Sequence, residues 1–327
     1  MTGIVIVTWN SEEIIGECLD ACLRLADVEI VVVDNASSDN TRREAEKRRG
    51  VRIIANSQNR GFASGVNQGV AALRHPAVLI LNPDATPLTG IAELAAAATQ
   101  ADTGAAAGYL YGSDGKWQAG FNLRRFPTPL ALCFEVLGIN RMFPRNEVNQ
   151  RWRMDDTDLA PDPAAAGDVE QPAGAFLMLN RVAWTAIGGF DEAFHPAWFE
   201  DVDYCLRLQQ AGYRIQFVPV ASARHLGGHS ASRLSWQHRQ LFWYGSLLRY
   251  AKKHFENAGR RQVAAAVMFA SPLRLFAGLI TGQSLKSVSV YIDIFRTAAR
   301  VWHGSDTRAG VAGSPSREEK RARQFFS

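Results

Sequence analysis

Apolar residues gather into four short runs early in the chain, Ile4 to Val7, Glu29 to Val33, Val51 to Ile54 and Val78 to Leu81. Between them, Glu12–Leu25, Asp39–Arg49 and Phe62–Leu73 carry apolar positions at helical spacing. A strand with one wet face alternates apolar and polar residues. These runs are almost unbroken Val and Ile, so both faces should be covered, which predicts βαβ units in a parallel sheet with helices on either side. The expected fold class is α/β, with a nucleotide-binding sheet over residues 1–104.

In such a sheet a ligand lies beyond the carboxyl ends of the strands. The residues that follow each run are polar: Thr8-Trp-Asn10, then Asp34-Asn-Ala-Ser-Ser-Asp39, then Asn56 to Asn59, then Asn82-Pro-Asp84.

Residues 105–238 are less regular and read as a second half packed on the first. Asp155–Asp168 is acidic and rich in Ala and Pro, the composition of a mobile loop. Phe176–Leu179 predicts a strand, and Val182–Ile187 a short helix closed by Gly188-Gly189. Residues 239–304 read as basic amphipathic helices, and the charged stretch 305–327 as a disordered tail. Ala264–Gly282 is apolar enough to suggest a membrane span, but Pro272 and Arg274 fall near its centre. A central Arg is costly in hydrocarbon, so helices lying at an interface are the expectation.

With 327 residues, 47% of them hydrophobic, the chain can bury a large core. Cys18, Cys22, Cys133 and Cys205 lack metal-type spacing and read as reduced core thiols. The chain enters Ile4–Val7 with no basic leader, which points to a cytoplasmic protein. A net charge of +4 is carried largely by Arg239, Arg249, Lys252, Lys253, Arg260, Arg261, Arg274 and Lys286 among apolar and aromatic residues. That pattern suits an anionic membrane surface better than a nucleic-acid strand.

Several polar residues have two readings. Asp34 can accept the imide N–H of a uracil or thymine ring, or cap a turn. Gly61, Gly65 and Gly69 let backbone approach an anion at a helix start, or let helices pack closely. Asp84 can ligate Mg2+ or Mn2+ across nucleotide phosphates, or serve as a turn residue. In Trp198-Phe-Glu-Asp-Val-Asp-Tyr-Cys-Leu-Arg207, helical spacing starts at Asp203 and leaves Glu200, Asp201 and Asp203 at or before the first turn. They can cap the helix or supply a catalytic base. Trp198 and Phe199 can stack on a sugar ring or fill a core. His195 reads as a packed loop residue.

Taken together, Thr8-Trp-Asn10, Val33 to Asp39, Asn59-Arg-Gly-Phe-Ala63, Leu81-Asn-Pro-Asp84, Gly189-Phe-Asp191 and Phe199-Glu-Asp-Val-Asp203 resemble the family 2 inverting glycosyltransferases of GT-A fold, in particular their bacterial rhamnosyltransferase branch. The resemblance spans about residues 3 to 255. It implies a donor site built by Thr8, Asn10, Asp34, Asn59, Gly61, Phe62, Asn67, Asn82 and Asp84, with Asp34 on the base. It implies Asp84 and His225 at a Mg2+ or Mn2+ ion, Asp201 with Glu200 at the catalytic position, and Trp198, Phe199 and Asp203 toward the acceptor. Asn82 replaces the first acid of the family's Asp-x-Asp motif, a form familiar in the rhamnosyltransferase branch, and from it dTDP-rhamnose is the implied donor, with UDP-sugars as the alternative. The implied acceptor is a saccharide or a polyprenyl-diphosphate-linked sugar at the cytoplasmic face of the inner membrane.

A sugar-phosphate nucleotidyltransferase would carry a Gly-rich basic loop after the first strand, where this chain has Thr8-Trp-Asn-Ser-Glu-Glu13. A non-catalytic sugar-nucleotide-binding protein would be favoured by loss of the acid at 84 or 201, and both are present. A processive synthase would carry a Gln-x-x-Arg-Trp motif after the base segment, which is absent here.

Overall fold

The computed structural model describes residues 1–154, 167–228, 232–280 and 286–304. Residues 155–166 of the Asp155–Asp168 stretch and the tail from Ser305 therefore lie outside the described residues.

The four apolar runs form β1 (Thr2–Thr8), β2 (Val28–Asp34), β3 (Val51–Ala55) and β4 (Ala77–Leu81), each slightly longer than its run. They alternate with α1 (Ile15–Cys22), α2 (Thr41–Glu46) and α3 (Phe62–Ala72). The first two helices are shorter than their periodicity suggests. The side chain of Asp39 accepts from the N–H groups of Glu12 at 3.1 Å and Thr41 at 3.0 Å, so polar turns take the residues flanking both helices.

The chain continues through β5 (Ala85–Thr89), α4 (Ile91–Ala98), β6 (Thr103–Tyr111), β7 (Leu123–Arg124), α5 (Pro129–Val136), α6 (Ile139–Met142) and α7 (Glu147–Arg153). It then forms β8 (Gly167–Asp168), β9 (Gln171–Pro172), β10 (Phe176–Asn180), α8 (Arg181–Ile187), α9 (Glu200–Gln210) and β11 (Arg214–His225). The Asn180 side chain caps α8 by accepting from Val182 N–H at 2.8 Å, and Gly188 ends that helix at a φ of 82°.

One sheet runs β3-β2-β1-β4-β10-β6-β11-β5, with β8 paired to β11. Only β3 to β4 form the parallel block that sequence predicts. β10 is antiparallel to both β4 and β6, and β11 is parallel to β6 but antiparallel to β5, so the other half of the sheet is mixed. Sequence reasoning also misses β6. Its Thr-Gly-Ala-Ala-Ala-Gly segment has no alternation and no branched residue after Thr103, yet it is buried between β10 and β11, where a Cβ on Gly108 would stand 2.3 Å from Ala221 O.

Strand alternation sorts the core onto two faces. Ile4, Ile6, Ile30 and Leu79 pack with Leu19 of α1 and Leu94 of α4, while Val5, Val7, Val31 and Ile80 pack with Val66 of α3 and Trp184 of α8. Cys18, Cys22 and Cys205 are buried free thiols, and Cys133 is a half-buried one.

Three helices complete the described chain, α10 (Trp236–His254), α11 (Asn257–Ile280) and α12 (Lys286–His303). Tyr244, Leu248, Val267 and Ile294 from these helices share a third core with Leu132 of α5 and with Phe194 and Phe199. The helical layer thus packs directly on the segment that leads into α9. Arg274 does not face outward as its place among the basic residues suggests. It donates to Val136 O at 2.7 Å at the end of α5. Among the described residues no helix is long and apolar enough to cross a membrane.

Candidate active site

The register of β1 against β2 sets Thr8 opposite Asp34. Both are buried, and Thr8 Oγ1 donates to Asp34 Oδ1 at 3.2 Å. Ser37 N–H donates to Asp34 Oδ2 at 3.2 Å and the Ser37 hydroxyl to Oδ1. Three donated bonds hold this carboxylate in one orientation. Asn10, at a φ of 51°, accepts from Ser38 N–H at 2.8 Å and so ties the end of β1 to the same turn.

Gly61 stands at the start of α3 with a φ of 85°, and a Cβ there would lie 2.7 Å from His195 Nδ1. Only glycine suits both the backbone angle and the contact. Asn59 accepts from Gly61 N–H at 2.9 Å, and Phe62 N–H donates to Pro196 O at 2.7 Å. The Asn59–Phe62 loop is thereby docked on the segment that carries Trp198 and Phe199. His195 is a packed loop residue, as read, with Nδ1 3.2 Å from Arg60 O.

Asn67 corrects the sequence reading. It sits one turn into α3 with its amide committed, Nδ2 donating to Phe190 O at 2.9 Å and to Glu192 at 3.1 Å, and Oδ1 accepting from Phe190 N–H at 3.0 Å. It clamps the loop after α8 and has no donor left for a ligand.

Asp84 and His225 come together through the antiparallel pairing of β5 with β11, which sets His225 opposite Ala85. Both side chains are buried, with His225 Nε2 3.3 Å from Asp84 Oδ1. Leu226 N–H donates to Asp84 O at 3.0 Å. The ring of Phe121 stacks on the imidazole at 5.0 Å and 9°. His225 Nδ1 faces Gln118 Oε1 at 3.0 Å, while Gln118 Nε2 donates to His225 O at 2.9 Å. One carboxylate oxygen and one imidazole nitrogen form a donor set that suits a divalent cation. Adjacent ligands at about 2.1 Å from a small cation stand about 3 Å apart, close to this pair's separation. Among the described residues no group of three His, Cys, Asp or Glu side chains assembles, so any cation held here takes further ligands from elsewhere. Asn82 is held through its backbone, its N–H donating to Ala175 O at 3.0 Å.

That bond leads to the base candidate. Ala173, Gly174 and Ala175 connect β9 to β10, and Gly174 N–H donates to Asp201 Oδ2 at 3.0 Å. A Cβ on Gly174 would lie 3.1 Å from Asp201 Cβ, so a glycine permits this approach. Asp201 Oδ1 also accepts from Val202 N–H at 2.8 Å, and the side chain stays partly exposed. Adjacent residues of one connector therefore hold Asn82, two residues before Asp84, and Asp201.

The helix begins earlier than its apolar spacing predicts. α9 starts at Glu200, with Glu200, Asp201 and Asp203 all in its first turn. The three acids have different surroundings. Glu200 is buried, its Oε2 has no hydrogen-bond partner, and burial followed by the nearby Asp201 charge pushes its carboxyl well above the usual range. Asp203 is fully buried, with Oδ1 2.7 Å from His254 Nε2 and 2.6 Å from Lys253 Nζ, and Oδ2 2.7 Å from Arg207 Nε. Burial would raise its carboxyl, but hydrogen bonds from His254 and Lys253 and the Arg207 charge outweigh that and hold it below the usual range. Asp203 therefore anchors α9 to α10 and is sealed from any acceptor, a second correction. Phe199 is a third. Its ring lies 5.4 Å from that of Tyr250 in the helical core, leaving Trp198 as the half-buried aromatic of the pair. Both have positive φ, 76° and 69°, which re-aims the chain just before α9.

Gly174 and Gln118 are the site residues that sequence reasoning does not find. Gln118 lies between two short turns in Lys116-Trp-Gln-Ala-Gly120, where nothing local marks it as a site residue, and its partner is 107 positions away. Gly174 between two alanines is the only local signal of a close approach.

Comparison with known proteins follows the same outline. The chain matches the pattern of Glycosyl transferase family 2 over residues 3–166 and that of Glycosyl transferase family group 2 over residues 139–303. It is 28% identical over 234 residues to an N-acetylglucosaminyl-diphospho-decaprenol L-rhamnosyltransferase of Mycobacterium tuberculosis, covering 66% of this chain and 73% of that protein. The rhamnosyltransferase WbbL of Escherichia coli is 31% identical over 81 residues, 23% of this chain and 30% of its own length. Among solved structures, a mannosyltransferase from Pyrobaculum calidifontis with GDP-Man and Mn2+ superposes at a TM-score of 0.50 with 15% identity, over 93% of this chain and 85% of that one. GalNAc-T7 with UDP, GalNAc and Mn2+ superposes at 0.55 with 14% identity, over 77% of this chain and 48% of that one. The mixed sheet is of the GT-A kind, and the chain belongs to glycosyl transferase family 2.

Proposed function

We propose that this glycosyltransferase is an inverting rhamnosyltransferase. It moves L-rhamnose from dTDP-rhamnose to a saccharide or polyprenyl-diphosphate-linked acceptor in cell-surface polysaccharide synthesis. The observation that carries the reading is the shared connector: Ala175 holds the loop of Asp84, and Gly174 holds Asp201. Leaving group and base are thereby positioned from one backbone segment. The named activity of the mycobacterial relative supports the choice of sugar and of a lipid-linked acceptor.

In this mechanism Asp34, oriented by Thr8 and Ser37, accepts the imide N–H of the base. Asp84 and His225 would hold Mg2+ or Mn2+, which neutralises charge on the departing diphosphate when bound. Asp201 takes the proton of the acceptor hydroxyl as that oxygen attacks the anomeric carbon and the nucleoside diphosphate leaves, so configuration inverts. Glu200, one residue before it, is buried away from solvent, which leaves the partly exposed Asp201 as the accessible base of the pair. Trp198 offers a face on which the acceptor sugar stacks.

The enzyme is further proposed to work peripherally at the cytoplasmic face of the inner membrane. Phe269, Leu273 and Phe276 form an exposed apolar stripe on α11, and Met142 and Phe143 lie exposed between Arg141 and Arg145. Such a surface suits anionic lipid. Flotation with anionic vesicles tests it, and exclusion from them removes this part of the reading.

The central test screens dTDP-rhamnose, UDP-sugars and GDP-sugars by thermal shift and nucleotide release, with Mg2+, Mn2+ or EDTA. Metal-dependent stabilisation and turnover with dTDP-rhamnose, giving a product of inverted anomeric configuration, is the expected result. A response confined to UDP- or GDP-sugars overturns the sugar assignment, and silence with every donor overturns the transferase reading.

A further inference from the structure

The cation edge formed by Asp84 and His225 has a third member on no functional element. Gln118 lies between β6 and β7 and makes two hydrogen bonds to one residue. Its amide Nε2 donates to the backbone carbonyl of His225 at 2.9 Å, and its Oε1 faces His225 Nδ1 at 3.0 Å. A backbone carbonyl only accepts, so the amide group turned toward it is the NH2. The remaining amide atom is then the oxygen, which only accepts, and Nδ1 must carry a proton to meet it.

We infer that Gln118 is a positioning residue that fixes His225 as its Nδ1–H tautomer and so keeps the Nε2 lone pair directed at the edge shared with Asp84. The inference rests on reading that edge as a cation site. Nε2 stands 3.3 Å from Asp84 Oδ1, so a neutral ring in this tautomer sets a lone pair against a carboxylate oxygen. Two acceptors at that distance repel, and a divalent cation between them removes the repulsion. The opposite tautomer, like a doubly protonated ring, would donate Nε2–H to Asp84 and occupy both ligand atoms with each other. Phe121, stacked on the ring at 5.0 Å, and the burial of His225 oppose a ring flip that would exchange the two nitrogens. Ligating histidines gain orientation and basicity when their second nitrogen donates to a fixed acceptor, an effect of about 10- to 100-fold in metal affinity.

The test uses Gln118→Leu, which removes both bonds, and Gln118→Glu, which retains an acceptor for Nδ1. Nitrogen-15 NMR of the metal-free full chain at about pH 8.5, above the ordinary imidazole range, reads the tautomer. The His225 signals are identified by their loss in His225→Asn. Paramagnetic resonance titration with Mn2+ alone reads affinity. The wild type should show Nδ1–H at His225, and Gln118→Leu should convert it to Nε2–H and weaken Mn2+ about 10- to 100-fold. Gln118→Glu should keep the tautomer and bind Mn2+ within a few-fold of wild type. A purely structural Gln118 would lower thermal stability in both variants without moving the tautomer, and that result overturns the inference. So does Nε2–H at His225 in the wild type. If the tautomer responds as expected but wild-type protein binds no Mn2+, the tautomer assignment stands and the cation reading of Asp84 and His225 fails instead.

Discussion

The two ends of the site are built on different plans. At the donor end, Thr8, Asn10, Asp34 and Ser37 come from neighbouring parallel strands and commit most of their hydrogen bonds to one another. At the base end, Asp84, His225, Gly174 and Asp201 come from segments joined by antiparallel pairing and by a connector, and polar capacity is left open there. Asp201 stays partly exposed, and His225 Nε2 faces a carboxylate. A recognition surface works best when preorganised and already satisfied, whereas reacting groups need valence in reserve. On the proposed mechanism, the contrast separates holding the nucleotide from moving the sugar.

The sharpest way to break that contrast is Asp201→Asn. Turnover should fall by about 10²- to 10⁴-fold, the usual contribution of a general base, while nucleotide binding and melting temperature hold. Single-turnover assays with calorimetry check this, and near wild-type rates would move the base elsewhere.

Next in size is Asp203→Ala, which leaves Lys253, Arg207 and His254 around an empty site. Unfolding in urea should show a loss of about 3–5 kcal/mol, typical of a broken buried ion cluster. A loss under about 1 kcal/mol would mean that packing alone holds α9 to α10.

The same carboxylate sets an acid limit. Its folded value lies below the unfolded one near pH 4, so its stabilisation is present above that pH and is lost as pH falls through the lowered folded value. Asp203→Asn should flatten the acid limb of the stability curve, and an unchanged limb would assign it to other carboxylates.

Gly174→Ala pushes a methyl to 3.1 Å from Asp201 Cβ and should cost about tenfold in kcat with a small change in donor affinity. The mildest change is Thr8→Val, which removes one of the donors to Asp34. Nucleotide affinity should fall by about 1 kcal/mol, with kcat unaltered at saturating donor. An equal loss of kcat would show that the two ends are not separable.

Legibility follows the same division. β1 to β4 are visible because each is a Val/Ile run covered on both faces, and the polar residues beyond them follow from where such strands end. β6 is hidden by its Ala and Gly residues, whose strand character comes from burial between β10 and β11. Asp203 and Asn67 look like ligand residues in a linear reading, and only their partners reveal an anchor and a clamp. Three acids within one turn are chemically equivalent on paper. Burial, a backbone donor and a cationic cluster make them a buried carboxyl whose pKa is pushed up, a partly exposed side chain and a structural ion.

By itself, the sequence determined the covered parallel block, the acids at its strand ends and the run of three acids at or just before a helix start, because periodicity and local polarity report burial within single elements. The tertiary structure alone decided the register that sets Asp84 against His225, the seat of Gln118 on both the ring and the carbonyl of that histidine, and the approach of Gly174 to Asp201. Those contacts join positions as far apart as Asp84 and His225, 141 residues, and depend on strand register and on the order of β10 and β11 in the sheet, which no short stretch of sequence encodes.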